Sequence, residues 1–170
     1  GCTLRRITPR LRRLCRTLHE LSDSDPSSFA VGFVDLRDEQ RLFIRPDVWM
    51  HAASTYKTAV MVAVFDDIRR GKLGLATQVP ITNRFRSIVD GSPYRLPVPK
   101  RPRDLPPRMI GKSLPVSTLL EEMITISSNL ATNLLLERVG AKRAMKTLRR
   151  LKLRGIKVLT AMVLISEIYD

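Results

Sequence analysis

Ser54-Thr55-Tyr56-Lys57 opens one apolar, helix-like run, and Ser127-Ser128-Asn129 opens another about seventy residues later. No other feature constrains this chain as much. It asks for two helix starts that meet at one pocket. Three residues apart on a helix, the Ser54 and Lys57 side chains share a face. A serine hydroxyl is a poor nucleophile at neutral pH unless a base takes its proton. A lysine amine serves as such a base when burial or nearby positive charge depresses its pKa. A second serine and an asparagine from the other helix would complete the pocket.

Ser-x-x-Lys alone is a weak signal. Twelve serines and eight lysines in 170 residues yield about 0.6 such pairs by chance, so context must discriminate. The context is ordered. Residues 8–21 predict a helix, with Thr8 as cap, Pro9 in the first turn and Leu11, Leu14, Cys15, Leu18 and Leu21 at helical spacing. Residues 29–36 and 41–44 predict two strands of an antiparallel hairpin across Arg37-Asp38-Glu39-Gln40. The Ser54 helix runs to about Arg70 and is stopped by Gly71 and Gly74. Val79-Pro80-Ile81 reads as a short extended piece. Residues 93–115 hold seven of the eleven prolines and six basic residues, which predicts a solvated loop. Three helices follow, over 116–126 with Thr118 and Glu121 in capping-box spacing, over 129–139 ended by Gly140, and over 141–151. Residues 156–165 are apolar and fit strand or helix. No internal repeat occurs.

The length and the 44% hydrophobic fraction allow one domain with a real core. No apolar stretch is long enough to cross a bilayer as a helix. The net charge of +14 implies attraction to polyanions or anionic surfaces. Cys2 and Cys15 make no disulfide framework, and Cys15 on a helix reads as a small buried hydrophobe. With only His19 and His51 and no Cys-x-x-Cys, no metal site and no cofactor are expected. Gly1-Cys2, with no apolar segment after it, reads as an accident of trimming rather than a lipoprotein processing site.

Met123-Ile124-Thr125-Ile126-Ser127-Ser128-Asn129-Leu130-Ala131-Thr132-Asn133-Leu134-Leu135 resembles the second motif region of class A β-lactamases and their penicillin-binding serine-hydrolase relatives. That family usually has Ser-Asp-Asn where this chain has Ser-Ser-Asn. The order of elements also matches, and residues 85–94 look like a connecting segment of such hydrolases. The resemblance covers about residues 10–159 and is specific over 49–65 and 120–140. It implies an α+β fold of the β-lactamase/transpeptidase type, a helical part with an incomplete antiparallel sheet. One partial domain would span 1–170, with the helix and hairpin of the α/β part in 8–47 and the motif-bearing helical part in 48–159.

By resemblance, Ser54 is the nucleophile, acylated by a β-lactam or a related amide or peptide. Lys57 is its proton acceptor or electrostatic partner, and Ser127 relays a proton to the leaving nitrogen. Asn129 holds the substrate amide and helps seat Lys57. Ser128 lies beside it in the substrate-binding turn, without the carboxylate that usually braces the motif. The resemblance also implies export, to the periplasm, the cell envelope or the outside.

Three parts of the pattern are missing. The Lys-Thr-Gly strand, which forms a substrate wall and half of the oxyanion hole, occurs nowhere in the chain. The backbone N–H of Ser54 can supply the other half, and one lost donor costs roughly 3 kcal/mol of transition-state stabilisation. A deacylating glutamate is expected soon after Val158-Leu159, where the chain reads Thr160-Ala161-Met162-Val163-Leu164-Ile165 and Glu167 does not match. The C-terminal strands are absent too, so the hairpin has no further sheet partners and a truncated or frame-shifted hydrolase with slow or absent turnover is expected.

Simpler roles exist for the same residues. Ser54 can be an N-cap, Lys57 a solvated helix lysine and Ser127 to Asn129 a capped helix–helix turn. Tyr56 and Trp49 read as packing residues, and His51 as incidental. From Ala141 to Lys157 eight basic residues and no acid occur, which is a solvated face or a patch for nucleic acid or anionic lipid. No aromatic interleaves it, so base stacking and specific nucleic-acid binding are not expected. A non-catalytic basic binding module and a pseudoenzyme that keeps the pocket are therefore the competing readings. Oligomeric state is left open.

Overall fold

The computed structural model describes residues 8–24, 29–87, 91–97, 105–153, 155, 156 and 158. They divide into two compact units, Gly1–Ala52 and Ala53–Asp170.

The first unit is a helix, α1 (Pro9–Ser24), and a hairpin of β1 (Val31–Val34) and β2 (Arg41–Ile44). The helix runs three residues past the expected end. Thr8 caps it as expected, its Oγ1 accepting from Leu11 N at 3.3 Å. The strands pair antiparallel with Val31 opposite Ile44 and Val34 opposite Arg41. The reversal is held by local carboxylates, Asp35 Oδ1 accepting from Arg37 N at 2.9 Å and Asp38 Oδ1 from Gln40 N at 3.1 Å. Cys15, Leu42 and Ile44 form a small core with Leu11, Leu18 and Val31 around it. Further along β1, Phe33 and Val34 are exposed. β1 is shorter than expected, and among the described residues the hairpin has no third strand.

The second unit is a cluster of four helices, α2 (Tyr56–Arg69), α3 (Val116–Thr125), α4 (Asn129–Val139) and α5 (Ala141–Arg150). Helix α4 is buried from Leu130 to Leu136, so it needs no polar stripe. Ala59, Val60, Ala63 and Val64 of α2 share its core with Leu119 and Met123 of α3 and Ala144 and Leu148 of α5. Helix α2 ends as the glycine at 71 requires. Gly71 has φ +70, its N–H donates to Ile68 O, and Lys72 N–H reaches back to Asp67 O.

One buried carboxylate ties α2 to α5. Asp66 accepts from Thr147 Oγ1 at 3.1 Å and pairs with Arg150 at 2.5 Å, Arg69 at 3.0 Å and Arg70 at 2.9 Å. Burial works to raise its pKa, but the hydrogen bonds from Arg69, Thr147 and Arg150 and the Arg150 charge outweigh it and hold the carboxyl at about 2.

The described parts of the stretch 93–115, residues 93–97 and 105–115, are not the solvated loop that its prolines suggest; residues 98–104 lie outside the described residues. β5 (Pro93–Tyr94) pairs with β4 (Phe85–Arg86), and β6 (Ser113–Pro115) pairs with β3 (Gln78–Pro80). A 3-10 turn spans Pro107–Met109, and Leu105 is buried. Two-stranded ribbons have only edge strands, where Pro80 and Pro115 leave no ladder bond unmade. Asn83 acts as a surrogate backbone, its side chain bonding both Leu96 N at 2.8 Å and Leu96 O at 3.0 Å. Phe85 and Tyr94 pack with ring centroids 5.6 Å apart.

The capping box at Thr118 and Glu121 does not form. Helix α3 starts at Val116 as expected, after an extended Pro115, and has no side-chain cap. Its first N–H groups bond to loop carbonyls instead, Val116 N to Thr77 O and Ser117 N to Leu75 O, each at 3.0 Å. Of residues 156–165, Ile156 and Val158 lie outside any regular element, Val158 being buried. The others lie outside the described residues.

Candidate active site

Ser54 is not inside the helix that follows it. It occupies a 3-10 turn, Ala53–Thr55, that leads into α2, and its side chain is exposed. The N-cap position falls to Thr55, which makes no side-chain cap bond. Ala53 has φ +43, an uncommon conformation for a residue with a Cβ. That turn presents the Ser54 hydroxyl outward at the head of α2. Lys57, on the first turn of α2, points inward and is 2% exposed, so it is no solvated helix lysine.

The second group comes from the turn between α3 and α4. Ser127 has φ +60. Ser128 follows it, fully buried. Its N–H donates to Glu122 O at 3.0 Å, and its Oγ accepts from Ala131 N at 3.0 Å as the N-cap of α4. Its carbonyl receives Thr132 Oγ1 at 2.6 Å. Ser128 was expected in the substrate-binding turn; the structure puts it beneath that turn, where its hydroxyl braces the start of α4. The bracing once attributed to a carboxylate is done by a neutral cap.

These two turns meet through Lys57. Its Nζ donates to Ser127 O at 2.5 Å, Ser127 Oγ at 2.8 Å and Asn129 Oδ1 at 2.8 Å. Ser127 Oγ in turn donates to Ser54 Oγ at 2.9 Å. The four groups form one continuous chain of hydrogen bonds from a buried amine to an exposed hydroxyl. Strained backbone at Ala53 and Ser127 lies on both sides of it, as is common where side chains are aimed at a ligand.

Behind the chain lie polar groups that the sequence reading did not single out. Asn133, one helical turn after Asn129, is fully buried and its Nδ2 reaches Tyr94 Oη at 3.4 Å. The signal was the i, i+4 repeat of asparagine on α4. Burial and then the charge of Glu137 push the Tyr94 hydroxyl up to about 12, and burial raises Glu137 itself. Tyr56 packs as expected, but its buried hydroxyl finds no hydrogen-bond partner among the described residues, and burial followed by Tyr94 raises its pKa. Trp49, expected to pack, is 59% exposed. Among the described residues no three His, Cys, Asp or Glu side chains gather as metal ligands, and no helix is long and apolar enough to cross a membrane.

The fold places this site among known structures. The chain is similar to PBP-A, with a TM-score of 0.70 and 23% identity over 94% of this chain and 56% of that one. It is similar to a PBP-A mutant solved as an acyl-enzyme complex with penicillin G, with a TM-score of 0.68 and 23% identity over 89% of this chain and 54% of that one. The chromosome-encoded β-lactamase of Vibrio parahaemolyticus gives a TM-score of 0.69 and 19% identity over 88% of this chain and 52% of that one. At these identities the likeness establishes the fold, a β-lactamase-like α+β architecture, and the chain spans about half the length of these structures. No curated protein gives a significant match. The family model described as "Beta-lactamase enzyme family" matches residues 13–168, and the chain belongs to that family.

Proposed function

We propose that this chain is a serine acyl-transfer enzyme of the β-lactamase type, in which Ser54 is acylated by a β-lactam or a related amide. The observation that carries this reading is the unbroken hydrogen-bond chain from Ser54 Oγ through Ser127 Oγ to Lys57 Nζ. Hydroxyl protons rotate, so the same chain can run in the opposite sense when the amine is neutral. Ser54 Oγ then bonds to the carbonyl carbon while its proton passes through Ser127 to Lys57. When the C–N bond breaks, Ser127 returns a proton to the leaving nitrogen. Asn129 holds Lys57 in place through Oδ1 and stands beside Ser127 where the substrate amide is to be bound. An acyl-enzyme complex with penicillin G exists for a PBP-A mutant of similar fold, which supports a penicillin as the first compound to try.

Release of the acyl group by water needs a base that this reading does not assign, so acylation is expected to outlast hydrolysis. Incubation of the protein with a fluorescent penicillin, followed by intact-mass analysis, tests the proposal. A single adduct that disappears in Ser54→Ala is expected. No adduct, or one unaffected by Ser54→Ala, overturns the enzymatic reading, and binding without an adduct assigns the chain as a pseudoenzyme.

A further inference from the structure

The hairpin of the first unit has an edge that no other described strand meets. Asp35 N–H donates to Gln40 O at 2.8 Å, so the backbone at residue 35 faces the second arm of the hairpin. Along an antiparallel ladder the bonded side alternates from one residue to the next. Val31 and Phe33, opposite Ile44 and Leu42, therefore turn their N–H and C=O groups towards β2. Gly32 and Val34 turn theirs outward, and both residues are exposed. Phe33 shares a face with Leu42 and Ile44, the face that packs with Cys15, yet it is 45% exposed. No charged residue occurs from Phe29 to Val34, whereas β2 carries the exposed Arg41. Charges, prolines and bulges keep an edge strand from pairing with another chain, and β1 has none of them.

We infer that a second copy of this chain pairs with β1 along this edge, antiparallel about a two-fold axis at Phe33, so that two hairpins become one four-stranded sheet. The edge is complementary to itself. Its outward residues, Gly32 and Val34, lie one on each side of Phe33, and the two-fold sets Gly32 of one copy opposite Val34 of the other. Each such pair exchanges N–H···O bonds in both directions. The two Phe33 side chains then occupy the non-hydrogen-bonded position, where cross-strand neighbours come closest, about 4.5–5.5 Å between Cβ atoms. There they bury apolar surface on the face that carries each copy's Cys15, Leu42 and Ile44. A strand of another sequence would have to match this register and its lack of charge; a second copy does so by symmetry. A lone hairpin is marginal, and two further strands stabilise it. Growth stops at two copies, because the outer strands of the joined sheet are the Arg41-bearing β2 of each. With only four residues in β1, the contact is smaller than the roughly 1,200 Å² of a standard stable interface, so the dimer is weak and concentration-dependent. Both copies are strongly basic, so salt favours association by screening their repulsion. The edge shares no residue with Ser54, Lys57, Ser127 or Asn129, so the inference stands whether or not the chain acylates.

Sedimentation equilibrium of the full chain, from micromolar to millimolar protein and at low and high salt, tests this. A monomer–dimer equilibrium that shifts towards dimer as salt rises is expected. Val34→Pro removes an outward N–H from each copy and no bond to β2, and is expected to weaken the dimer about tenfold or more. Phe33→Lys and Phe33→Glu are each expected to lose the dimer, and an equimolar mixture of the two to regain it, because the two-fold sets position 33 against itself. Thermal melting confirms that each variant is folded, and the charge pair decides alone if Val34→Pro is not. A chain that stays monomeric to millimolar concentration overturns the inference and leaves the edge to a strand of different sequence. Assemblies larger than two, a dimer that folded Val34→Pro leaves intact, or a mixture no more associated than its components overturn it as well.

Discussion

Ser127 Oγ lies 2.9 Å from Ser54 Oγ, two hydroxyls 73 residues apart in sequence, and the same Ser127 oxygen receives Lys57 Nζ at 2.8 Å. The exposed hydroxyl and the buried amine are therefore joined through a single oxygen. Any proton moving between them along this chain passes Ser127.

Lys57→Met separates chemistry from stability. It replaces a buried amine with an apolar chain of similar length. Penicillin acylation, read as the rate of adduct formation, is expected to fall at least about a hundredfold, the low end for loss of a positioned proton carrier. The melting temperature is expected to fall only modestly, because Ser127 and Asn129 lose a shared donor while a buried polar group is replaced by an apolar one that fills its space. A loss of acylation accompanied by unfolding would mean that Lys57 is structural.

Ser128→Ala removes the cap of α4. Its Oγ holds Ala131 N, and both residues are fully buried, so the variant is expected to lose about 1 kcal/mol in urea unfolding. Ser127 and Asn129 flank the residue, so acylation is expected to slow as well, though no reacting group is lost.

How far these arrangements could be read beforehand differs from residue to residue. Helix α4 was bounded correctly because a polar Ser-Ser-Asn start and Gly140 enclose a leucine-rich segment. The meeting of Ser54, Lys57, Ser127 and Asn129 was expected only from motif order and family resemblance. Helical periodicity did not say that Lys57 faces inward, since an alkyl stem with a charged end fits either side. The β3–β6 pairing escaped notice because its partners are more than thirty residues apart, short, and contain prolines that read as loop. Leu105 was hidden among prolines and arginines that suggest solvent. The start of α3 was placed correctly but its capping was misread, because its first N–H groups are satisfied by carbonyls at Leu75 and Thr77, a tertiary contact with no local sequence signature.

Tyr56→Phe removes a buried hydroxyl that finds no hydrogen-bond partner among the described residues. Stability is expected to stay level or rise by up to about 1 kcal/mol, since an unpaired polar group is costly to bury. A clear loss in the same urea titration would reveal a partner for that hydroxyl in solution.

Acid tests the Asp66 strut. The folded pKa of about 2 lies below the ordinary aspartate value of 3.8, so the contribution of Asp66 is complete above about pH 4 and is lost as pH falls towards 2. Thermal melting is expected to drop across that window. Asp66→Asn is expected to be less stable at neutral pH and to show a shallower decline below pH 4. An identical slope in the two proteins would remove Asp66 from the account.

Leu135→Ala opens a hole in the fully buried face of α4. A cost of about 2–5 kcal/mol is expected in equilibrium unfolding.

The left-handed backbone at Ser127 restricts which alcohol can stand there. Threonine carries the same hydroxyl, yet its branched Cβ is poorly tolerated at φ +60. An interchange that is conservative at most positions is therefore closed to this one, and a mutational library at codon 127 should return serine far more often than its chemical twin.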